Sequence, residues 1–330
     1  MNIPFKRINL GNSLERIKPL IDSGFIGLGD TVYQFEKKLA EYVGAPEVVA
    51  VDSCTSALFL SLIWEKKKDG TRSVVIPSMT VPLVACAIKE AGLDFTFNGE
   101  TDWVGSAYPL KGSLVIDSAH QLTRNQYAEL FKGMPYEIGF KVCFSFYPTK
   151  TIGSADGGAI ATWDHEFAEW ARKVATYGRN QRQKYANSWE YDVEMYGYKR
   201  HWTNLQAAIA LEQLERLDET ANMRNQIVAA YNNRFGYLNT SEYLYRIKVS
   251  DQKKFIEKMA DAGIECGVHF KPLHLMSPFQ SVYIASTDRW KVEKDYHETV
   301  SLPLYDKLSD EEVGYIMDQA EATGMILPIL

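Results

Sequence analysis

The chain has 330 residues, 46% apolar and 24% charged, a composition typical of a globular protein large enough to form two lobes. Its net charge of −6 argues against a nucleic-acid-binding surface, which would need clustered basic residues. Its four cysteines lie far apart, which predicts a reducing, cytoplasmic compartment and neither a metal site nor a disulfide framework. No signal core or uninterrupted apolar stretch indicates secretion or a membrane span.

The first half of the chain alternates short strands with helices. Asp30 is predicted to cap a helix that runs to Val43, because apolar residues follow it at helical spacing and Gly44 is a common helix stop. Further helices are predicted from Ala57 to about Lys66 and from about Val81 to Ala91. Strands are predicted at Val48–Val51, Ser73–Ile76, Asp94–Phe97, Leu114–Ile116 and Val142–Phe146. This alternation predicts an α/β fold with a mostly parallel central sheet between helices.

The second half of the chain predicts a smaller α+β domain. The sequence Thr203–Gln206 resembles a capping box and opens a long helix that continues to about Phe235. After it we expect strands near Tyr245–Val249 and Glu265–Phe270, a helix at Gln252–Ala262 and a last helix after Ser309. We therefore predict a large domain over residues 1–222 and a small one over 223–330.

Polar residues follow the predicted strands at Ser53–Ser56, Pro77–Thr80, Asp117–His120 and Ser145–Lys150. Ligands of such sheets collect at the carboxyl ends of the strands. Hydroxyls and free N–H groups at a helix start suit a phosphate, although Ser53–Ser56 taken alone is better explained as a plain N-cap. Asp117 is either a buried carboxylate that needs a cationic or N–H partner or another cap, and a lone histidine such as His120 is more often structural.

Lys150 follows a buried strand and precedes the pair Gly157-Gly158. A lysine held against apolar walls can become an amine nucleophile. A phosphate site, a buried carboxylate and a reactive lysine together match pyridoxal phosphate (PLP). NAD is disfavoured because no GxGxxG follows the first strand, and a Walker loop is absent.

The segments DSCTSALFL, PSMTVPLVACAIKEAG, VIDSAHQ, CFSFYPTKTIGSADGGAIAT, GYKRHWTNLQAAIALEQLERLDE and HFKPLH, in this order, resemble the DegT/DnrJ/EryC1/StrS family of PLP-dependent sugar-nucleotide aminotransferases. The resemblance implies an aspartate-aminotransferase-like (fold type I) architecture. It also implies ping-pong transfer of an amine, usually from glutamate, through pyridoxamine phosphate to C4 or C3 of a nucleotide-linked 6-deoxy sugar. Such reactions serve amino-sugar and polysaccharide or lipopolysaccharide biosynthesis.

The resemblance also implies roles for individual residues. Lys150 would form the Schiff base and then move the proton, Asp117 would keep the pyridine nitrogen protonated, and His120 would lie near the phenolic oxygen. Ala119 would pack on the ring, and Cys54, Thr55 and Ser145 would bind the phosphate. Lys199 would reach the phosphate of a neighbouring subunit, which makes the protein a homodimer with shared active sites. The sugar nucleotide would contact Phe25, Ile26, Gly27, His269 and His274, although packing explains the histidines equally well.

Two departures from the family pattern stand out. Val81 replaces the aromatic residue that usually stacks on the cofactor ring, so stacking is weaker or another aromatic substitutes. The region between residues 85 and 115 is about half its usual length, and the stretches Leu122–Phe140 and Asn180–Met195 would rebuild the missing cover or shape the sugar site. Two alternatives stay open: a PLP-dependent sugar dehydratase, whose relatives replace the lysine by histidine, and a non-catalytic regulatory homologue.

Overall fold

The structure is a computed structural model that describes residues 1–135, 138–179 and 190–328. The helices, in chain order, are α1 (Ser13–Ser23), α2 (Asp30–Val43), α3 (Cys54–Asp69), α4 (Pro82–Glu90), α5 (Gln126–Leu130), α6 (His165–Ala175), α7 (Asn204–Glu215), α8 (Leu217–Phe235), α9 (Gln252–Asp261), α10 (Ser286–Glu298) and α11 (Asp310–Ala322). The strands are β1 (Glu47–Val51), β2 (Ser73–Pro77), β3 (Asp94–Asn98), β4 (Tyr108–Pro109), β5 (Val115–Asp117), β6 (Lys141–Ser145), β7 (Gly158–Thr162), β8 (Tyr245–Lys248) and β9 (Thr299–Leu302).

The central sheet has the strand order β1-β7-β6-β5-β4, and β2 pairs with β3. Lys111, just after β4, exchanges backbone hydrogen bonds of 2.8 and 3.0 Å with Val75, which brings β2 and β3 to the edge of this sheet. The β5–β6 and β2–β3 pairs are parallel, whereas β1–β7, β6–β7 and β4–β5 are antiparallel. The α/β fold class is confirmed, but the sheet is mixed rather than mostly parallel.

The shortened region explains one of the antiparallel pairs. A parallel neighbour requires a crossover of about a dozen residues or more, usually a helix. Only residues 110–114 separate β4 from β5, so the chain must turn back and pair antiparallel. A second antiparallel pair, β6 and β7, is joined by the loop 146–157, and this loop carries Lys150. The connection between these two strands thus presents Lys150 at the carboxyl end of β6.

Apolar side chains fill three clusters. On one face of the sheet α3, α4 and α6 pack around Leu58, Ile88 and Phe167. On the other face α2 and α7 pack around Phe35 and Leu211. A third cluster, which includes residues of α8, α9, α11 and the β8–β9 pair, fills the C-terminal part of the chain. A domain boundary at residue 222 stays a prediction.

Parts of the predicted secondary structure differ from the structure. No strand forms at Glu265–Phe270, a range that is described in full; only Gly267 bridges to Ser301, through backbone hydrogen bonds of 2.9 and 2.8 Å. Two stretches, Leu122–Phe140 and Asn180–Met195, were predicted to rebuild the cover of the sheet or to shape the sugar site. In the first stretch, α5 contacts α2. In the second, residues 180–189 lie outside the described residues. None of the helices within the described ranges is long and apolar enough to cross a membrane.

Candidate active site

A cavity of about 580 Å³ lies where β2, β5 and β6 end. Because side chains at the ends of neighbouring strands face one edge of the sheet, residues far apart in sequence meet here. The predicted site residues that line this cavity are Cys54, Thr55, Val81, Asp117, Ala119, His120, Ser145, Lys150 and His269. The structure therefore brings together the residues that the strand-end motifs assign to the cofactor.

Most residues predicted on the sugar side, and Lys199, lie outside this cavity. Gly27 accepts a 2.7 Å hydrogen bond from the backbone of Asn204 at the start of α7, and the side chains of Phe25 and Ile26 are exposed. Lys199 is exposed as well. Within one chain these four residues have no contact with the cavity, so any role of theirs in a site requires a ligand or subunit that reaches them.

The two predicted histidines of the HFKPLH segment lie in different surroundings. His274 is buried, with Nδ1 2.6 Å from Ser78 Oγ and Nε2 3.1 Å from Glu293 Oε1, so both ring nitrogens already have partners. His269 lines the cavity, and its Nδ1 lies 2.9 Å from Ser301 Oγ. Burial lowers the pKa of His269 to about 3, so its ring is neutral near pH 7.

The N-terminus of α3 forms a cradle for an anion. Ser53 caps this helix by accepting a 3.1 Å hydrogen bond from the backbone N–H of Ser56. The cavity beside Cys54 and Thr55 thus faces the positive end of the helix dipole. Gly158 makes room here, because a Cβ at this position would lie 2.5 Å from the Cys54 nitrogen. A phosphate group fits such a site.

Asp117 ends β5 as a buried carboxylate, with 5% of its surface exposed. Its Oδ1 accepts a 2.9 Å hydrogen bond from the backbone N–H of Ala119. Burial raises the pKa of the Asp117 carboxyl, while the Ala119 amide, the Tyr108 hydroxyl and the charge of Lys150 oppose the rise. A protonated ring nitrogen would supply the cation that this carboxylate lacks.

His120 is a neutral hydrogen-bond donor. The backbone N–H of Gly105 donates a 3.2 Å hydrogen bond to Nδ1, which assigns the proton of the neutral ring to Nε2. Burial, with the charges of Lys150 and other basic groups, holds the pKa of His120 well below its usual value. His120 is therefore suited to donate a hydrogen bond to a phenolic oxygen.

Lys150 lies against Tyr243. Its Nζ donates a 3.2 Å hydrogen bond to the Tyr243 hydroxyl and lies 4.7 Å from the centre of that ring. The loop is held to α7, because Gln213 accepts a 2.9 Å hydrogen bond from the backbone N–H of Gly153. The sequence patterns do not identify Tyr243, because its contact with Lys150 spans 93 positions of the chain.

Trp103 is a second residue that sequence reasoning missed. It lies in the shortened region, lines the cavity and is 9% exposed. Its ring stacks on His120 with centroids 5.3 Å apart and an interplanar angle of 28°. Its Nε1 has no hydrogen-bond partner among the residues that the structure describes. The absence of an aromatic residue at Val81 was the available signal that another ring lines this cavity.

The residues around the cavity fit PLP. The α3 cradle suits its phosphate, the buried carboxylate of Asp117 suits its ring nitrogen, and the Nε2 proton of His120 suits its phenolic oxygen. Lys150, which lines the same cavity, supplies the amine that its aldehyde requires.

Comparison with known proteins identifies the same family that the sequence motifs resemble. The sequence model of the "DegT/DnrJ/EryC1/StrS aminotransferase family" matches residues 10–99 and 113–321. Spore coat polysaccharide biosynthesis protein SpsC of Bacillus subtilis (strain 168) is 28% identical, over 92% of both chains. GDP-perosamine synthase of Caulobacter vibrioides is 24% identical, over 93% of this chain and 94% of that one. The unmatched residues 100–112 contain Trp103 and Tyr108.

Solved structures share the fold. The putative sugar aminotransferase Spr1654 from Streptococcus pneumoniae, in its PMP-form, has a TM-score of 0.79 and 23% identity, covering 98% of this chain and 97% of that one. Its PLP-form has a TM-score of 0.78. At this identity the likeness concerns the fold, and it confirms the predicted fold type I architecture.

Proposed function

Because the chain belongs to the DegT/DnrJ/EryC1/StrS aminotransferase family, we propose that it moves an amino group from glutamate to a keto group of a nucleotide-linked sugar. The acceptor carbon is C4 or C3 of a 6-deoxy sugar, and the two half-reactions alternate at one site. The observation that carries this proposal is the single cavity that Lys150, Asp117 and the start of α3 share. The predicted family resemblance is confirmed.

PLP is the cofactor of this family, and when bound it withdraws electrons from the carbon attached to the transferred nitrogen, which makes the proton on that carbon acidic. Lys150 Nζ would tether the cofactor and then take and return this proton, while the Tyr243 hydroxyl would orient the amine. Asp117 would hold the proton on the ring nitrogen, and His120 Nε2 would donate to the phenolic oxygen. The phosphate would be held by Thr55, Cys54, Ser145 and the backbone at the start of α3, and Ala119 would pack on the ring.

The choice of acceptor is supported by the relatives. The name of the Caulobacter protein gives a GDP-linked sugar as its product, and that of the Bacillus protein gives a role in polysaccharide biosynthesis. We extend a nucleotide-linked substrate and a role in polysaccharide or lipopolysaccharide biosynthesis to this chain on that basis. A cytoplasmic location, predicted from the scattered cysteines, belongs to the same proposal.

A shared site in a homodimer would account for the residues outside the cavity. Lys199 is exposed in its own chain, so we propose that it reaches the cofactor phosphate of the partner subunit. Phe25, Ile26 and Gly27 would contact the sugar nucleotide from an exposed position, and His269 from inside the cavity. His274 has the weakest case for substrate contact, because Ser78 and Glu293 already occupy both of its ring nitrogens.

Turnover of nucleotide-linked keto sugars tests the proposed function directly. The PLP-loaded protein is incubated with glutamate and a panel of these sugars, and the products are identified by mass spectrometry. We expect one or more sugars to gain an amine, with equimolar 2-oxoglutarate. Deoxygenation without an amine would support the dehydratase instead, and no turnover by protein that binds PLP would support the regulatory homologue.

We expect Trp103 to take the place of the aromatic residue that is absent at position 81. Aromatic pairs contribute about 0.5–1.5 kcal/mol beyond their buried area, which corresponds to roughly 2- to 10-fold in a dissociation constant. Trp103→Leu should therefore weaken PLP binding by about this factor, whereas Trp103→Phe should stay near wild type. Absorbance titration of the apoprotein with PLP measures both. An unchanged PLP affinity in Trp103→Leu would count against a role for this ring.

A further inference from the structure

A second cavity adjoins the candidate active site and shares Thr149, Lys150 and Tyr243 with it. Its volume is about 50 Å³, room for a carboxylate or phosphate group but not for a nucleotide. Basic side chains outnumber acidic ones around it: Lys6, Arg7, Lys150, Arg216 and Arg224 against Glu242 and Asp306. The cavity is therefore electropositive, and it lies directly beside the proposed reactive amine.

Arg224, on α8, is a buried member of this basic group that lacks some of its hydrogen-bond partners within the described ranges. Its side chain lines the cavity although the residue is only 7% exposed. Its Nε and Nη2 atoms have no hydrogen-bond partner among the described residues. The charges of Glu242 and Asp306 raise the pKa of the Arg224 guanidinium, but burial has the larger effect and lowers it. A buried cation that lacks a partner destabilises the fold unless a ligand supplies the opposite charge.

Lys6 adds a second donor to this cavity. Its Nζ donates hydrogen bonds to the carbonyl oxygens of Tyr243 and, at 2.9 Å, Leu304. An ammonium group has three N–H donors, so one remains for a ligand. Burial and the charges of Arg224 and Lys150 lower the pKa of Lys6. An anion in the cavity would relieve the repulsion among these three cations.

We propose that this second cavity is an oxyanion site in which Arg224 and Lys6 hold the side-chain carboxylate of a dicarboxylic amino donor. The inference rests on the proposed function, because it takes Lys150 as the amine at which the donor reacts. A group bound here lies beside that amine, and a short dicarboxylic amino acid carries a second carboxylate only a few bonds from its α-carbon. A phosphate of the nucleotide-linked acceptor has the same chemistry and is the other source of such a group.

Anion binding to the PLP-loaded protein tests the site without turnover. The probes are glutarate, which has two carboxylates and no amine, and inorganic phosphate, each titrated while the thermal unfolding midpoint is recorded. Arg224→Met removes the charge and Arg224→Lys keeps it. The matched control is Arg234→Met, on the same helix, where the arginine is exposed and paired with Asp318 and Glu321.

We expect at least one of the two anions to stabilise wild-type protein. Loss of a charge-assisted hydrogen bond should weaken its binding about 10- to 100-fold in Arg224→Met. Arg224→Lys should retain part of the affinity, and Arg234→Met all of it. The proposal is overturned if neither anion stabilises wild-type protein, or if Arg224→Met binds the anion as wild type does.

Single-turnover kinetics identify the source of the anion. If Arg224 holds the side-chain carboxylate of the amino donor, Arg224→Met should react with glutamate about 10- to 100-fold more slowly than wild-type protein does. Its rate with alanine, which lacks the second carboxylate, should stay within about two-fold of the wild-type rate. If the rate with glutamate is unchanged and the KM for the nucleotide sugar is raised, the site does not bind the donor carboxylate. It then binds a phosphate of the acceptor. If no amino acid reacts with wild-type protein, the aminotransferase proposal fails, whereas the thermal shifts still decide whether the site binds an oxyanion.

Discussion

We expect Lys150→Ala to abolish amino transfer and the visible absorbance of the lysine-bound cofactor. The residue is expected to act as both covalent tether and base, and removal of a general base alone costs about 10²–10⁴-fold in rate, so we expect a loss of about 10⁴-fold or more. Steady-state turnover measures the loss.

Borohydride reduction of wild-type protein followed by peptide mass spectrometry should locate the pyridoxyl group on Lys150. Lys6, the other amine beside Tyr243, serves as the internal control. A label on Lys6, or near-wild-type turnover of Lys150→Ala, would contradict the assignment.

The same variant tests whether the active site is shared between subunits. If Lys199 acts in the partner's site, mixing Lys150→Ala with Lys199→Ala creates heterodimers that contain one intact site and one doubly defective site. Activity should then rise above that of either variant alone, toward about a quarter of wild type for random mixing, since half the dimers are mixed and each has one of two sites. No recovery after subunit exchange, or a monomeric protein in sedimentation, would argue that Lys199 acts elsewhere.

Asp117→Asn should have opposite effects on activity and on stability. The amide can accept the Ala119 hydrogen bond but cannot keep the ring nitrogen protonated. Loss of one preorganised electrostatic group costs about 10²–10³-fold in kcat, and we expect a decrease of this size. The apoprotein, in contrast, should become more stable near pH 7, because the variant no longer buries a carboxylate whose partners are only neutral donors and a distant lysine.

The pH dependence of this stability gain follows from the pKa of Asp117, which burial raises above its unfolded value of 3.8. Between the unfolded and folded pKa values the native state binds more protons than the unfolded state, so wild-type stability falls as pH rises through this window. The variant has no such group. The difference in unfolding midpoint between the two apoproteins should be small below pH 4, grow with pH and then level off.

Thermal unfolding of the apoproteins as a function of pH measures this effect, and PLP should reduce the difference because it pairs with the carboxylate. Asp156→Asn is the matched control, since Asp156 lines the same cavity but is exposed. It should give no comparable pH-dependent gain. A less stable Asp117→Asn apoprotein at pH 7 would mean that the carboxylate already has a sufficient partner.

Local patterns were reliable wherever an element and its cap lie within a few residues. The helix predicted to run to Val43 ends there, although Gly29 and not Asp30 is its N-cap, and Thr203 and Ser309 cap the helices that follow them. The spacing of apolar residues and the identity of a cap are local properties, so the sequence carries them directly. Asp117 and Lys150 were predicted as site residues for the same reason, because each lies at or shortly after the end of a strand.

Other features depend on contacts between distant parts of the chain. The antiparallel β4 and the strand β7 follow from how the chain turns back, which apolar runs alone do not encode. The predicted strand at Glu265–Phe270 is wrong because a β-propensity without a full partner strand yields only the bridge at Gly267. His274 was grouped with His269 by sequence, but packing against Ser78 separates it from the cavity.

By itself the sequence determined the strand-end motifs, the family and the cofactor chemistry, because each rests on short segments whose residue types and order are sufficient. The tertiary structure alone decided that Trp103 lines the cavity and that Tyr243 contacts Lys150. It also decided that Arg224 lines the adjoining cavity with two nitrogen atoms that have no partner among the described residues. The physical reason is that burial and pairing depend on every element packed around a side chain, and these elements come from positions far apart in the chain.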